Sequence, residues 1–175
     1  MTNKKRKAIN QLAVSVRKSL CVSTPVDLQK VVDLLKGKLA SMTFDDSSVS
    51  GKIQKINDSF EISYNAEESP NRIGFTIAHE LGHLFLHMGY LINPEKWKSI
   101  DEYCDSPKYR QGYSEEEYEA NEFAASFLMP ENEYRQFVKD NLKDGKISLL
   151  KISKHFKVSD DAALTRGKWL GIFPW

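Results

Sequence analysis

Cysteine is nearly absent from this sequence. Cys21 and Cys104 are its only two, far apart and without the paired spacing of a metal knuckle. That excludes a disulfide scaffold and fits a reducing compartment. A long apolar run is also missing. Charged and polar residues interrupt everything after the basic start at Lys4 to Lys7, so neither a signal peptide nor a membrane span is predicted. The expectation is a cytoplasmic protein with no membrane partner. Net charge is only +1, which leaves no overall field for nucleic acid or lipid. No internal repeat or low-complexity linker divides the 175 residues. One domain is predicted over 1–175, with a core at about 25–135 and a helical tail at 136–175.

Histidine is scarce as well, with four in all, and three of them fall between positions 79 and 87. They interrupt an otherwise apolar stretch, Asn71 to His87, that reads as a helix buried on most sides. Buried polar groups cost free energy unless something satisfies them. His79 and His83 are i and i+4, one turn apart on one helix face. Two imidazoles so placed suit one tetrahedral Zn²⁺, with the intervening Glu80 as a base beside it.

The rest of the chain supplies a setting. Lys4 to Leu20 has helical apolar spacing. Thr24-Pro25 reads as an N-cap and first helical position of a second helix that stops at Gly37. From Lys38 to Asn65 the period shortens. Leu39 to Phe44, Val49 to Ile56 and Phe60 to Tyr64 read as three short strands, the last two joined by a hairpin turn at Asn57-Asp58-Ser59. The predicted fold is therefore α+β: a small antiparallel three-stranded sheet packed on a helical bundle that contains the histidine helix. Its edge strand could take up a peptide by strand addition. Gly89 to Gly112 is irregular, a lid, a substrate loop or the seat of a short helix. Ser114-Glu115-Glu116-Glu117 has capping-box form and opens another helix that ends at Met129-Pro130. Glu131 to Leu142, Ile147 to Phe156 and Asp160 to Leu170 continue as helices.

A hydrolytic zinc site needs three protein ligands and an open position. The third must come from outside the histidine helix. The acidic helix offers Glu115, Glu116, Glu117, Glu119 and Glu122. Glu119 is the first choice, because Ala120 beside it is small enough for close helix packing. Glu116 and Glu122, one turn to either side, are the alternatives. Glu80 would take a proton from the attacking water and pass it to the leaving amine. Tyr103, Tyr109 and Tyr113 are candidates for stabilising the oxyanion, with nothing to choose among them. His87 continues the ladder by another i+4 step. One ion cannot easily use three histidines of a straight helix, so His87 reads as a support or cap. Gly82 permits close approach of a neighbouring backbone.

Arg72 to His83, followed by Glu119-Ala120-Asn121-Glu122-Phe123-Ala124-Ala125 and Leu128-Met129-Pro130, resembles the ImmA/IrrE metallopeptidases. The resemblance covers about residues 25 to 135. It implies a zincin-like domain, zinc held by His79, His83 and a glutamate of the second motif (Glu119 by position), and Glu80 as the base. It also implies a site-specific endopeptidase whose protein substrate is a helix-turn-helix repressor encoded nearby on a phage or mobile element. Longer relatives carry a C-terminal sensor domain. Without one, activation would arrive through a partner or the substrate.

The tail has a pattern of its own. Leu150 to Ser159 and the helix after it look like a helix-turn-helix. DNA contact would require the second helix to enter a groove, and Asp160 and Asp161 at its start would repel phosphate. Packing or substrate docking is the preferred role, and direct DNA binding is not expected. Two alternatives stand beside the peptidase: a non-catalytic binding protein with structural zinc, and a DNA-binding regulator acting through the tail. An intact Glu80 argues against the first, because a structural site needs no base.

Overall fold

A computed structural model describes residues 1–46, 48–100 and 114–175. Tyr103, Tyr109 and Tyr113, and with them Cys104, lie outside the described residues. The chain opens with α1 (Asn3–Ser19), capped by the Thr2 hydroxyl, which accepts the Lys5 N–H at 3.2 Å. Its buried Ile9 and Ala13 are i and i+4 and set the face turned to the core. Next is α2 (Leu28–Leu34), which starts three residues later than the Thr24-Pro25 pattern predicted. Asp27 is the cap, accepting the Lys30 N–H at 3.1 Å. Thr24 is committed elsewhere. Its hydroxyl accepts from Arg17 Nη2 at 2.9 Å and donates to Glu133.

Three strands follow: β1 (Lys38–Met42), β2 (Gly51–Ile56) and β3 (Ser59–Asn65), in the order β1-β3-β2. Strands β2 and β3 form the expected hairpin. Ile56 pairs with Ser59 across Asn57-Asp58, and Asn57 takes the left-handed φ of 54° that so tight a turn needs. Against the expectation of an antiparallel sheet, β1 pairs with β3 in parallel, Lys38 opposite Glu61 through Met42 opposite Asn65. The sheet is thus mixed. A two-residue turn leaves β2 no choice but the adjacent antiparallel place. Strand β1 then takes the other side of β3, and β2 itself serves as part of the crossover that a parallel pair requires.

Pro70 at the first helical position, behind Ser69, starts α3 (Pro70–Gly82). It runs on without a break into a π-helical turn, His83–His87. The short α4 (Pro94–Ser99) lies in the segment expected to be irregular. Helix α5 (Glu115–Leu128) is capped as predicted, the Ser114 hydroxyl accepting the Glu117 N–H at 3.3 Å. Then come α6 (Glu131–Asn141), α7 (Leu149–Phe156) and α8 (Asp160–Trp169). Ile53, Phe60 and Ile62 of the sheet meet Leu81, Leu84, Phe123 and Phe127 of the helices in one core, all at most 1% exposed. Each such side chain contributes about 1.5–3 kcal/mol by leaving water. No helix among the described residues is long and apolar enough to cross a membrane.

The tail is built into this body. Arg166 of α8 is buried and donates to Met129 O at 3.1 Å, Glu122 Oε1 at 3.1 Å, Ser126 Oγ at 3.0 Å and Asn10 Oδ1 at 2.9 Å. One guanidinium therefore ties α8 to α5 and α1. Asn71 of α3 donates to Val158 O at 3.0 Å, holding the α7–α8 turn near the start of the histidine helix. His155, the fourth histidine, stacks on Phe137 with ring centroids 4.0 Å apart.

Candidate metal centre

The site begins with the contact between α3 and α5. A Cβ added at Gly82 would lie 2.9 Å from Ala120 Cα and 3.0 Å from Ala120 O. The helices approach so closely because neither carries a larger side chain there. Three residues before Gly82 is His79, and three before Ala120 is Glu117. Positions i and i−3 share a helix face, so both side chains look across the same junction. His79 Nε2 and His83 Nε2 lie 3.0 Å apart. Glu117 Oε2 is 3.3 Å from the first and Oε1 3.3 Å from the second. One ligand atom from each of the three residues falls within 4.8 Å of the others.

Glu119, the first choice for the third ligand, is elsewhere. It is one residue before Ala120 and so about 100° around the helix from the face that meets α3. It turns to α1, where Lys5 Nζ contacts its Oε1, and its Oε2 lies 3.4 Å from His87 Nε2. The alternatives are not at the pair either. Glu122 is buried against Arg166 and lies 3.3 Å from Arg6 Nε. Glu116 is exposed. Glu117 is one of the five glutamates offered by this helix, but on pattern it is neither the first choice nor an alternative.

The surrounding bonds decide where the imidazole protons sit. A carboxylate only accepts, so His87 Nε2–H donates to Glu119. Burial, and after it the neighbouring His83, hold His87 below the usual imidazole range, so it is neutral and its Nδ1 accepts. That Nδ1 is 2.9 Å from His83 Nδ1, which must then carry the hydrogen. On the other side, His79 Nδ1 is 3.0 Å from Asn121 Oδ1, an acceptor. His79 and His83 therefore aim unprotonated Nε2 lone pairs at one point, next to a carboxylate. The two neighbouring imidazoles, His79 first and then His83, hold Glu117 far below the usual carboxylate range, so that carboxylate is charged. Two lone pairs and an anion converging on one point repel unless a cation stands between them. The donor set, two neutral imidazoles and a carboxylate, is the one a hydrolytic divalent metal takes. The three residues fit a metal ion.

The π-helical turn belongs to this arrangement. Its wider ladder, with Met88 N–H donating to His83 O at 2.9 Å, carries His83 and His87 together. Their ring centroids are 4.9 Å apart. Such turns are uncommon and concentrate at functional sites. The helix is thus not the straight one assumed in weighing His87, and His87 stands behind His83 with its Nδ1 on the far side from the converging point.

Glu80 is 1% exposed and lines the same cleft as His79 and Glu117, a space of about 520 Å³. Its carboxylate faces the start of β2, where a Cβ on Gly51 would come within 3.6 Å of Glu80 Oε1 and 2.4 Å of Thr76 Cγ2. The glycine keeps that approach open. Ser50 and Arg72 lie on one side of the cleft, and Ser159, Asp161 and Ala162 of the tail form the other. Asn121 and the tail residues were absent from the sequence-based site. The small pair Gly82 and Ala120 was the available signal, since it fixes which face of α5 is turned to α3.

A sequence model of the IrrE N-terminal-like domain, Peptidase M78, matches residues 38–167. The chain belongs to that family. Membership gives it a metallopeptidase-type function and agrees with the α+β zincin-like fold. The matched span runs from the first residue of β1 into α8, so the Peptidase M78 unit includes most of the tail. Among curated proteins, none matches the chain.

Proposed function

We propose that this chain is a zinc-dependent endopeptidase that cuts a regulatory protein, namely a helix-turn-helix repressor. The observation that carries the reading is the pair of bare imidazole nitrogens and the charged Glu117 converging on one point beside Glu80. His79, His83 and Glu117 would hold the ion, a donor set suited to zinc. When bound there, zinc would lower the pKa of a water toward ~7 and polarise the scissile carbonyl. Glu80 takes the proton from the attacking water and delivers it to the leaving amine. Asn121 and the His87–Glu119 pair keep the two imidazoles in the required tautomers. The open cleft, with edge strand β2 at its rim, suits an extended segment of a protein better than a small metabolite. The choice of a repressor rests on the resemblance of the two motifs to the ImmA/IrrE peptidases.

The test is Glu80→Gln. Metal content of the purified variant should equal that of the wild type. Cleavage of the helix-turn-helix repressor encoded beside it, followed by mass spectrometry, should fall by about 10²–10⁴-fold, the contribution of a general base. Cleavage by the variant at the wild-type rate would sink the mechanism. A stable complex with wild-type protein and no fragments would favour a binding protein.

A further inference from the structure

A second cavity of about 350 Å³ opens beside the metal cleft. The two share Phe75, Asn121, Asp161 and Ala162 as walls, so they adjoin. Asn121, which holds His79, lines both. Tyr118, Asn121, Glu122 and Ala125 lie along one face of α5 at helical spacing and form one side. Thr165 and Trp169 of α8 form the other. Ala125 and Ala162 leave the floor open, and two large aromatic side chains flank it. Tyr118 and Trp169 are 49% and 48% exposed. Trp169 is held in place from two directions. The Arg6 guanidinium lies 3.7 Å from its ring centroid, and Trp175 packs edge-on at 4.9 Å. Both arginines of the slot lie beside the single carboxylate of Glu122, Arg6 Nε at 3.3 Å and Arg166 Nη1, which donates to it, at 3.1 Å. Their charge is spent inside the wall, which leaves the lining mostly apolar.

We propose that this slot is a binding subsite for an apolar side chain, aromatic or large aliphatic, of the substrate segment lying in the metal cleft. As a substrate subsite it rests on the peptidase reading given above. Its place also sets a register. Ala125 is eight residues beyond Glu117, about 12 Å along the helix. An extended chain advances about 3.3 Å per residue, so the slot receives a side chain within about four residues of the cut. A rigid aromatic wall costs little ordering on binding, and a pocket of this kind discriminates by size and polarity.

Two experiments together test it. The first needs no metal. Metal-free protein is titrated with N-acetylphenylalaninamide, and the Trp169 indole N–H is followed by NMR, assigned through Trp169→Phe. A saturable shift is expected with this compound and not with the aspartate or lysine analogue. Thr165→Trp, an exposed change on α8 that fills the slot, should abolish it. In the second, zinc-loaded protein digests a random peptide library. Cut sites should be enriched by about tenfold or more in Phe, Leu, Met or Trp within about four residues of the bond, and Thr165→Trp should flatten that preference. No indole shift, an equal shift with the charged analogues, or cleavage without preference would overturn the slot and leave the peptidase standing. An indole shift with no cleavage of any peptide would overturn the peptidase and leave an apolar binding site.

Discussion

Glu117 and Glu119 are two residues apart in sequence and differ in every contact that matters, so exchanging each for glutamine is a sharp test of the centre. Glu117→Gln removes one of three ligands. Apparent zinc binding by four-ligand structural sites is about 10–16 kcal/mol, roughly 2.5–4 kcal/mol per ligand. At 1.4 kcal/mol per factor of ten, that is a loss of about 10²–10³ in affinity. Glu119→Gln leaves both imidazoles and Glu117 in place. Its glutamine oxygen can still accept from His87, a contact already long at 3.4 Å. Support at one remove from a metal is worth about 10–100-fold, and a weakened version of it belongs at the low end. Competition against a chromophoric chelator at fixed pH measures both. Glu117→Gln should bind zinc at least about ten times more weakly than Glu119→Gln. Equal losses, or the larger loss at Glu119, would return the third ligand to Glu119 and refute the face argument built on Gly82 and Ala120.

Three further outcomes follow from the geometry. Gly82→Ala puts a methyl 2.9 Å from Ala120 Cα, a backbone atom that cannot swing away. It should cost about 1–3 kcal/mol by overpacking, read as a lower urea midpoint, and an unchanged midpoint would show that the helices yield. Arg166→Met strands Glu122 in the interior with Arg6 as its remaining cation. Breaking a buried pair costs about 3–5 kcal/mol, so a loss under 1 kcal/mol would mean that α8 is held by its apolar contacts alone. His87 has a folded pKa below the ordinary value of 6.5, through burial first and then His83, with Glu116 and Glu119 opposing. Between those two values the unfolded chain takes up a proton that the native state does not. Stability of the metal-free protein therefore falls as pH drops below 6.5. His87→Gln should flatten that slope in urea titrations between pH 7.5 and 5.5, and an unaltered slope would locate the effect elsewhere.

Periodicity and capping disclosed most of the architecture. The histidine helix, the hairpin, the Ser114 cap and the two tail helices are all local features whose signals lie within a dozen residues. What stayed hidden depends on contacts between distant segments. Alternation of apolar residues is the same in parallel and antiparallel strands, so β1 could not declare its direction. Thr24 has the chemistry of a cap but bonds to Arg17 and Glu133. The choice among five glutamates turns on a 100° rotation per residue, and adjacency to a small residue says nothing about which one faces the neighbour. The tail has helix-turn-helix form, but two helices and a tight turn serve many purposes, and the sequence left packing and substrate docking unseparated. Only its burial against α5 and α1 shows that it walls the cleft.

Among the described residues no strand pairs with the outer side of β2, and that has a consequence for solubility. An uncovered strand edge is a template for pairing with any extended chain, including another copy of itself. Lys52 and Lys55 lie on this one. Lys55 reaches across to the carbonyls of Trp97 and Ile100 at 2.7 Å and 2.6 Å, closing part of the edge with the C-terminal end of α4. Two copies placed edge to edge would bring like charges together, whereas a foreign segment without basic residues meets no such penalty. The strand that could make the molecule stick to itself is thus guarded by the same lysines that leave it open to others.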